Sequence, residues 1–231
     1  MDNLAVIPAR SGSKGVPNKN IKLLDKIPLM AYTIEVAKQS GVFSEIMVST
    51  DSQEYAQIAL KYGANVPFLR SKENASDTAS SWDVVREILN NYESGGKRFE
   101  TVCLLQPTSP LREVKDVIGA YNLYKKNTAN AVISVCEVDH SPLWSNTLPD
   151  SMSLDDFISK EAFQPRQKLK TYYRINGAIY IVNADYVQKE SNIYRGSYAY
   201  IMPKENSIDI DTELDFLIAE SIMKYRHKKQ K

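Results

Sequence analysis

"LAVIPARSGSKGVPNKNIK", Leu4 to Lys22, joins an apolar run to a basic loop broken by glycine and proline. The run Leu4 to Ala9 predicts a buried strand. The loop holds Arg10, Lys14, Lys19 and Lys22 and no carboxylate. A basic loop directly after the first strand of an α/β sheet stands where such sheets bind ligands. Gly12 and Gly15 permit positive φ and close backbone approach, so successive N–H groups can form an anion-holding nest. Arg10, Lys14 and Lys19 surround it with charge, the arginine as a fork suited to phosphate. Two familiar phosphate motifs are absent. Counting a P-loop from Gly12 puts Pro17 and Asn18 where Gly-Lys should stand, and Gly12 with Gly15 does not complete a G-x-G-x-x-G fingerprint. The loop predicts a polyphosphate site of another kind, against the plainer alternative of a solvated surface loop.

Outward from this loop, short apolar runs alternate with helical stretches. "PLMAYTIEVAKQSG" predicts a helix from Pro28 to Gly41, with proline in the first turn and glycine as the C-terminal cap. "EIMVST" (Glu45 to Thr50) is the next strand. Asp51 or Ser52 caps a helix through Tyr62 that Gly63 ends. "NVPFLR" reads as a short strand. "TASSWDVVREILNNY" (Thr78 to Tyr92) reads as a helix with Val84, Val85, Ile88 and Leu89 on one face. "TVCLLQ" (Thr101 to Gln106) is continuously apolar, as a central parallel strand should be. A helix from Val114 to Lys126 and a strand from Ala131 to Cys136 follow. Asp139 to Tyr173 is polar, proline-punctuated and without period, an ordered excursion rather than a core element. Strands Gly177 to Val182 and Ser197 to Met202 and a helix from about Thr212 complete the pattern. The alternation predicts right-handed crossovers, a mostly parallel open sheet flanked by helices, and a ligand crevice beyond the strands' carboxyl ends.

The 231 residues suit one large domain with a modest insertion, and 43% hydrophobic with 25% charged residues suits a globular core. A net charge of +1 gives no general pull toward nucleic acid or an anionic membrane, so neither is expected as a partner. Cys103 and Cys136 sit in strand-like runs, as small core residues in a reducing compartment. The start lacks a signal-peptide pattern and no run approaches a membrane span, so a cytoplasmic location is expected.

"SIDIDTELDF" (Ser207 to Phe216) is the second informative stretch. Alternation puts Asp209 and Asp211 on one face and Ile208 and Ile210 on the other. Paired carboxylates repel unless a cation or protons intervene, and hard oxygen donors in small number suit Mg²⁺ on a nucleotide phosphate. The plainer alternative is that Asp211 or Thr212 caps the last helix, with Glu213 and Asp215 complementing its dipole. Gln106, just past the central strand in "LLQPTSPLR", can read hydroxyls or a base. His140, the only histidine away from the tail, is expected to be structural or interfacial, and no general base is evident.

Together, "IPARSGSKGVPNKN", "VSTDS", "ASDTASS", "LLQPTSPLR", "QPRQ", "YRINGAIYI" and "NSIDIDTELDF" resemble the bacterial CMP-N-acylneuraminate synthetases, or acylneuraminate cytidylyltransferases. The pieces follow the family's order and span Ile7 to Phe216. The resemblance implies a Rossmann-like nucleotidyltransferase fold, residues 1–138 and 174–231, with a small dimerisation insertion at residues 139–173 and a homodimeric assembly. It implies that CTP and a nonulosonic acid give a CMP-sugar and pyrophosphate, with Mg²⁺, through attack of the sugar's C2 hydroxyl on the α-phosphate. A CMP-Kdo-type reaction, or a non-catalytic nucleotide-binding domain, are the alternatives.

By matching motif, Arg10, Lys14, Lys19 and Asn20 are similar to the family's triphosphate loop. Arg70, Ala79 and Ser81 match its cytosine and ribose end, and Gln106, Arg174, Asn176 and Tyr180 its sugar pocket. Arg166 of "QPRQ" resembles a residue that reaches the sugar carboxylate, within one subunit or across a dimer. Asp209 and Asp211 match the metal ligands, and with Arg10, Lys14 and Lys19 form the implied catalytic set. One departure is "HSPLW", which puts Trp144 where some members carry a basic residue after "HPL".

Overall fold

The computed structural model describes the chain except residues 1, 13–14, 77–79, 191 and 230–231; of Glu161 and Arg166 only the backbone is described. Six strands form one sheet: β1 (Asn3–Pro8), β4 (Glu45–Ser49), β5 (Thr101–Leu104), β6 (Ala131–Glu137), β7 (Tyr173–Asn183) and β8 (Ser197–Ile201). Their order is β4-β1-β5-β7-β6-β8. β1 runs parallel to β4 and β5, and β6 parallel to β8. β7 is antiparallel to both its neighbours, β5 and β6. The sheet is thus mostly parallel, with one reversed strand at its centre. Chain order reverses about β1, which leads to β4 on one side and later to β5 on the other, and such switch points open a crevice at the carboxyl edge.

Period-two alternation distributes each strand between two cores. Ala5, Ile7, Cys103 and Leu105 face helices α1 (Leu29–Ser40), α2 (Gln53–Lys61) and α4 (Val114–Asn127). Leu4, Val6, Val102 and Leu104 face α3 (Ser81–Ser94) and α5 (Ala184–Lys189), including the expected face Val84, Val85, Ile88 and Leu89. Each fully buried Leu or Ile contributes about 2 kcal/mol. A third cluster joins Phe216, Ala219 and Met223 of α6 (Glu213–Lys229) to Val16, Leu29, Leu111 and Ile210. It carries the acidic stretch back onto the opening loop. Both cysteines are buried and free. Among the described residues, no helix is long and apolar enough to cross a membrane.

Several expectations are corrected. "NVPFLR" makes only an isolated bridge, Asn65 to Met47, and bends at Pro67 and Phe68, where the proline has no N–H to extend a ladder. Helix α3 begins at Ser81, with the Ser80 hydroxyl accepting from Asp83 N–H, while Thr78 lies outside the described residues. Ser52, not Asp51, caps α2. A small hairpin, β2 (Leu23–Leu24) with β3 (Ile27–Pro28), precedes α1. Its turn puts Asp25 and Lys26 at positive φ without the glycine that normally announces one.

The excursion at residues 139–173 contains only three short 3₁₀ turns. Its ends are tied together where Glu137 pairs with Tyr173 and Val138 N–H donates to the Tyr172 carbonyl, so it is one long connection between β6 and β7. Trp144 packs inside it, its indole N–H donating to the Ala162 carbonyl.

Candidate active site

At the carboxyl edge, Pro8, Arg10, Gly15, Lys19, Asn20, Arg70, Ser81, Gln106, Thr108 and Asp211 line one cavity of about 410 Å³. Arg10 and Lys19 of the amino-terminal loop meet Asp211 there, 192 residues beyond Lys19. Lys19 Nζ donates to Asp211 Oδ1 at 2.9 Å and to the Ile210 carbonyl at 2.7 Å. The loop lies so close to the acidic stretch that a β-carbon on Gly15 would sit 2.5 Å from the Asp211 carbonyl oxygen. Gly12 takes φ +75°, as a nest requires, and Lys14 lies outside the described residues.

The loop is held from β4. Ser11 donates to Asp51 twice, its N–H to Oδ1 and its hydroxyl to Oδ2, both at 2.7 Å. Burial raises the Asp51 pKa, but the Ser11 hydrogen bonds and then the Arg70 charge bring it below its ordinary value. Asn20 is buried and donates to the Arg10 carbonyl at 3.0 Å, so it shapes the loop from within. Arg70 grips the end of β4, donating to the Ser49 hydroxyl and carbonyl. Burial, before the opposing charges of Asp51 and Glu87, lowers its pKa. Arg10 Nη1 reaches the Ala75 carbonyl at 3.5 Å.

The acidic stretch before the last helix is not a strand, and of the two candidate caps it is Thr212, not Asp211, that serves. Thr212 caps α6, its hydroxyl accepting from Asp215 N–H while Asp215 accepts from the Asp211 and Thr212 amides. Asp211 is thereby left to face Lys19. Ile210 N–H donates to the Thr108 carbonyl at 2.8 Å, fastening the stretch to the turn after β5. Partial desolvation in the cleft and the like charge of Asp211 raise the Asp209 pKa, against a hydrogen bond to Thr108 and the charges of Lys19 and Arg174. Asp209 and Asp211 supply the hard oxygen donors that a divalent cation would take here; among the described residues no cluster of three or more acidic, histidine or cysteine side chains forms.

The expected sugar-pocket residues separate. Gln106 lines the cavity. Arg174 donates to the Ser207 carbonyl at 3.5 Å, beside Asp209. Tyr180 meets Trp82 edge-on at 5.8 Å between ring centres. Burial, then Tyr194 and Asp209, raises its pKa. Asn176 departs from the expectation of a direct sugar contact. The β6–β7 register shifts between Ile133 and Val135, and this irregularity turns Asn176 inward. Its amide accepts from Ser134 and from Ala178 N–H and donates to Ser207 and the Met202 sulfur. Ala79 and the Arg166 side chain lie outside the described residues.

The sequence reading missed Asp51 as the anchor of the loop, although an acid just past a strand's carboxyl end is a signal for the cleft. It also missed Arg112. This side chain is 2% exposed and donates to the carbonyls of Ala178 and Gln106 and to the Thr33 hydroxyl. Burial, opposed by Cys103 and Asp116, lowers its pKa from 12.5 to about 10.

A family model described as cytidylyltransferase matches residues 4–231. The CMP-N,N'-diacetyllegionaminic acid synthase of Legionella pneumophila is 37% identical over 225 residues, 95% of each chain. The N-acylneuraminate cytidylyltransferase of Escherichia coli O18:K1:H7 is 39% identical over 98% of this chain, which spans 53% of that longer relative. Among solved structures, a CMP:2-keto-3-deoxy-manno-octonic acid synthetase complexed with CTP superposes with a TM-score of 0.73 over 98% of this chain and 100% of its own, at 16% identity, a likeness of fold. The match along nearly the whole chain, with a relative of similar length at 37% identity, places the chain in the cytidylyltransferase family.

Proposed function

We propose that the chain activates a nonulosonic acid with CTP, releasing pyrophosphate and the CMP-sugar. The observation that carries this reading is the Lys19–Asp211 contact, which brings Arg10 and Lys19 of the loop and an acid of the carboxyl-terminal stretch into one cavity. The relatives' names supply the reaction class.

In this reading the sugar's C2 oxygen forms a bond to the α-phosphorus, the bond from that phosphorus to the bridging oxygen breaks, pyrophosphate leaves, and the hydroxyl proton passes to solvent. Such a transfer is governed by positioning and charge stabilisation. Arg10 and Lys19, with Lys14, hold the triphosphate and stabilise the departing pyrophosphate. Arg70 and Ser81 bound the nucleoside end, and Gln106 and Arg174 the acceptor, whose carboxylate suits a guanidinium fork. Asp209 and Asp211 would hold Mg²⁺, which when bound screens phosphate charge and favours ionisation of a coordinated hydroxyl. We assign the excursion at residues 139–173 to a homodimer contact, supported by exposed Leu148, Met152, Leu154 and Phe163, and the enzyme to the cytoplasm. Static light scattering giving a monomer mass would remove the dimer.

The test is pyrophosphate release from purified protein, CTP and Mg²⁺ with N-acetylneuraminate, legionaminate, pseudaminate or Kdo in parallel. Turnover with a nine-carbon acid is expected. Turnover with Kdo alone would assign the eight-carbon reaction, and CTP binding without any release would leave a non-catalytic domain.

A further inference from the structure

Arg112 is a buried cation whose hydrogen bonds all go to neutral acceptors. Among the described residues it forms no ion pair. Burying a charge on such partners is unfavourable unless its hydrogen bonds are well satisfied. The three acceptors belong to three elements: Ala178 on β7, Thr33 on α1 and Gln106 at the end of β5. The Thr33 hydroxyl also donates to the same Gln106 carbonyl, at 3.4 Å. One guanidinium fork therefore closes the turn from Gln106 to Arg112 on itself and fastens it to the helix and strand beneath. That turn contributes Gln106, Pro107 and Thr108 to the cavity, and its Thr108 carbonyl holds Ile210 between the two acids.

We propose that Arg112 is a positioning residue for the transfer reaction, setting Gln106 and, through Thr108, the Asp209–Asp211 pair in register with the basic loop. This rests on the cytidylyltransferase reading. Only a planar fork with several donors satisfies acceptors in three directions; a lysine retains the charge but has neither the shape nor the reach for all three. A displacement of about 1 Å in a catalytic group costs on the order of 100-fold in rate.

Arg112→Lys and Arg112→Ala are assayed beside wild type for kcat, for KM of CTP and of the sugar acid, and for the folded fraction by CTP binding. For Arg112→Lys, kcat per folded molecule falls about 10- to 100-fold, with KM for CTP within about twofold, since Arg112 does not line the nucleotide cavity. For Arg112→Ala, guanidinium ion in the millimolar range restores part of kcat and methylammonium does not. Should both variants fail to fold, Thr33→Val removes one acceptor with Arg112 in place and is expected to lower kcat several-fold. An Arg112→Lys enzyme with kcat per folded molecule within about threefold of wild type, or equal rescue by both cations, or an unchanged kcat in Thr33→Val where that variant is needed, overturns the proposal. Absence of pyrophosphate release from wild type would instead overturn the reaction reading.

Discussion

Gly15 and Asp211 lie in backbone contact: an added β-carbon on the glycine would stand 2.5 Å from the aspartate's carbonyl oxygen. The glycine is needed for space, at the seam where the loop after the first strand closes against the stretch before the last helix. Gly15→Ala must push the two apart. Overpacking of this kind costs about 1–3 kcal/mol, and the displacement falls on the catalytic seam. We expect kcat/KM to fall at least about tenfold while thermal melting shows a protein still folded. Wild-type kinetics in the alanine variant would refute the contact.

Asp209 offers a separation of stability from activity. Its carboxyl has a raised pKa in the fold, chiefly by desolvation and then by Asp211. The ionised form is therefore disfavoured in the folded state. That penalty is complete above the raised folded value and absent below the ordinary carboxylate value. Asp209→Asn should melt higher than wild type at neutral pH without Mg²⁺, with the difference vanishing as pH falls through the carboxylate range, and should lack turnover. An asparagine variant less stable at neutral pH would contradict the electrostatic account.

Asp51 behaves in the opposite sense. Burial alone would raise its pKa, but the two Ser11 hydrogen bonds and Arg70 lower it. Its contribution is present above the ordinary carboxylate value and is lost as pH falls through the lowered one. Asp51→Asn should cost about 1–2 kcal/mol near neutrality and raise KM for CTP, because the loop that carries Arg10 loses its tether. Urea denaturation from pH 3 to pH 7 measures the first and steady-state kinetics the second, and equal stability across that range would count against the tether.

Asn176 distinguishes an interior role from a substrate contact. Its amide satisfies Ser134 and Ser207 away from solvent. Asn176→Ala should destabilise by about 2–3 kcal/mol by removing its buried hydrogen bonds to Ser134, Ser207 and the Ala178 N–H, with KM for the sugar acid unchanged in the folded fraction. A large KM effect at wild-type stability would return this residue to the sugar pocket.

Much of the fold was legible from local pattern. The continuous apolar run at Thr101 to Gln106 marked a central strand, and the apolar face from Val84 to Leu89 marked the helix that covers it. Gly41 ends α1 at φ +63°, as its type requires. The reversed direction of β7 was not legible, because an apolar strand buried on both faces has the same composition in either orientation. The turn at Asp25 and Lys26 was hidden for a related reason: two non-glycine residues adopt positive φ there under tertiary constraint.

The sequence by itself determined which charges exist and on which loops: cations after the first strand, acids before the last helix, a polar residue past the central strand. Residue type and period are local quantities, readable without coordinates. Only the tertiary structure decided that Lys19 reaches Asp211, that Asn176 turns inward while Gln106 lines the cavity, and that Arg112 holds the turn between them. Those outcomes depend on strand order, on a shift of register and on close approach between segments remote in the chain, none of which leaves a trace in local composition.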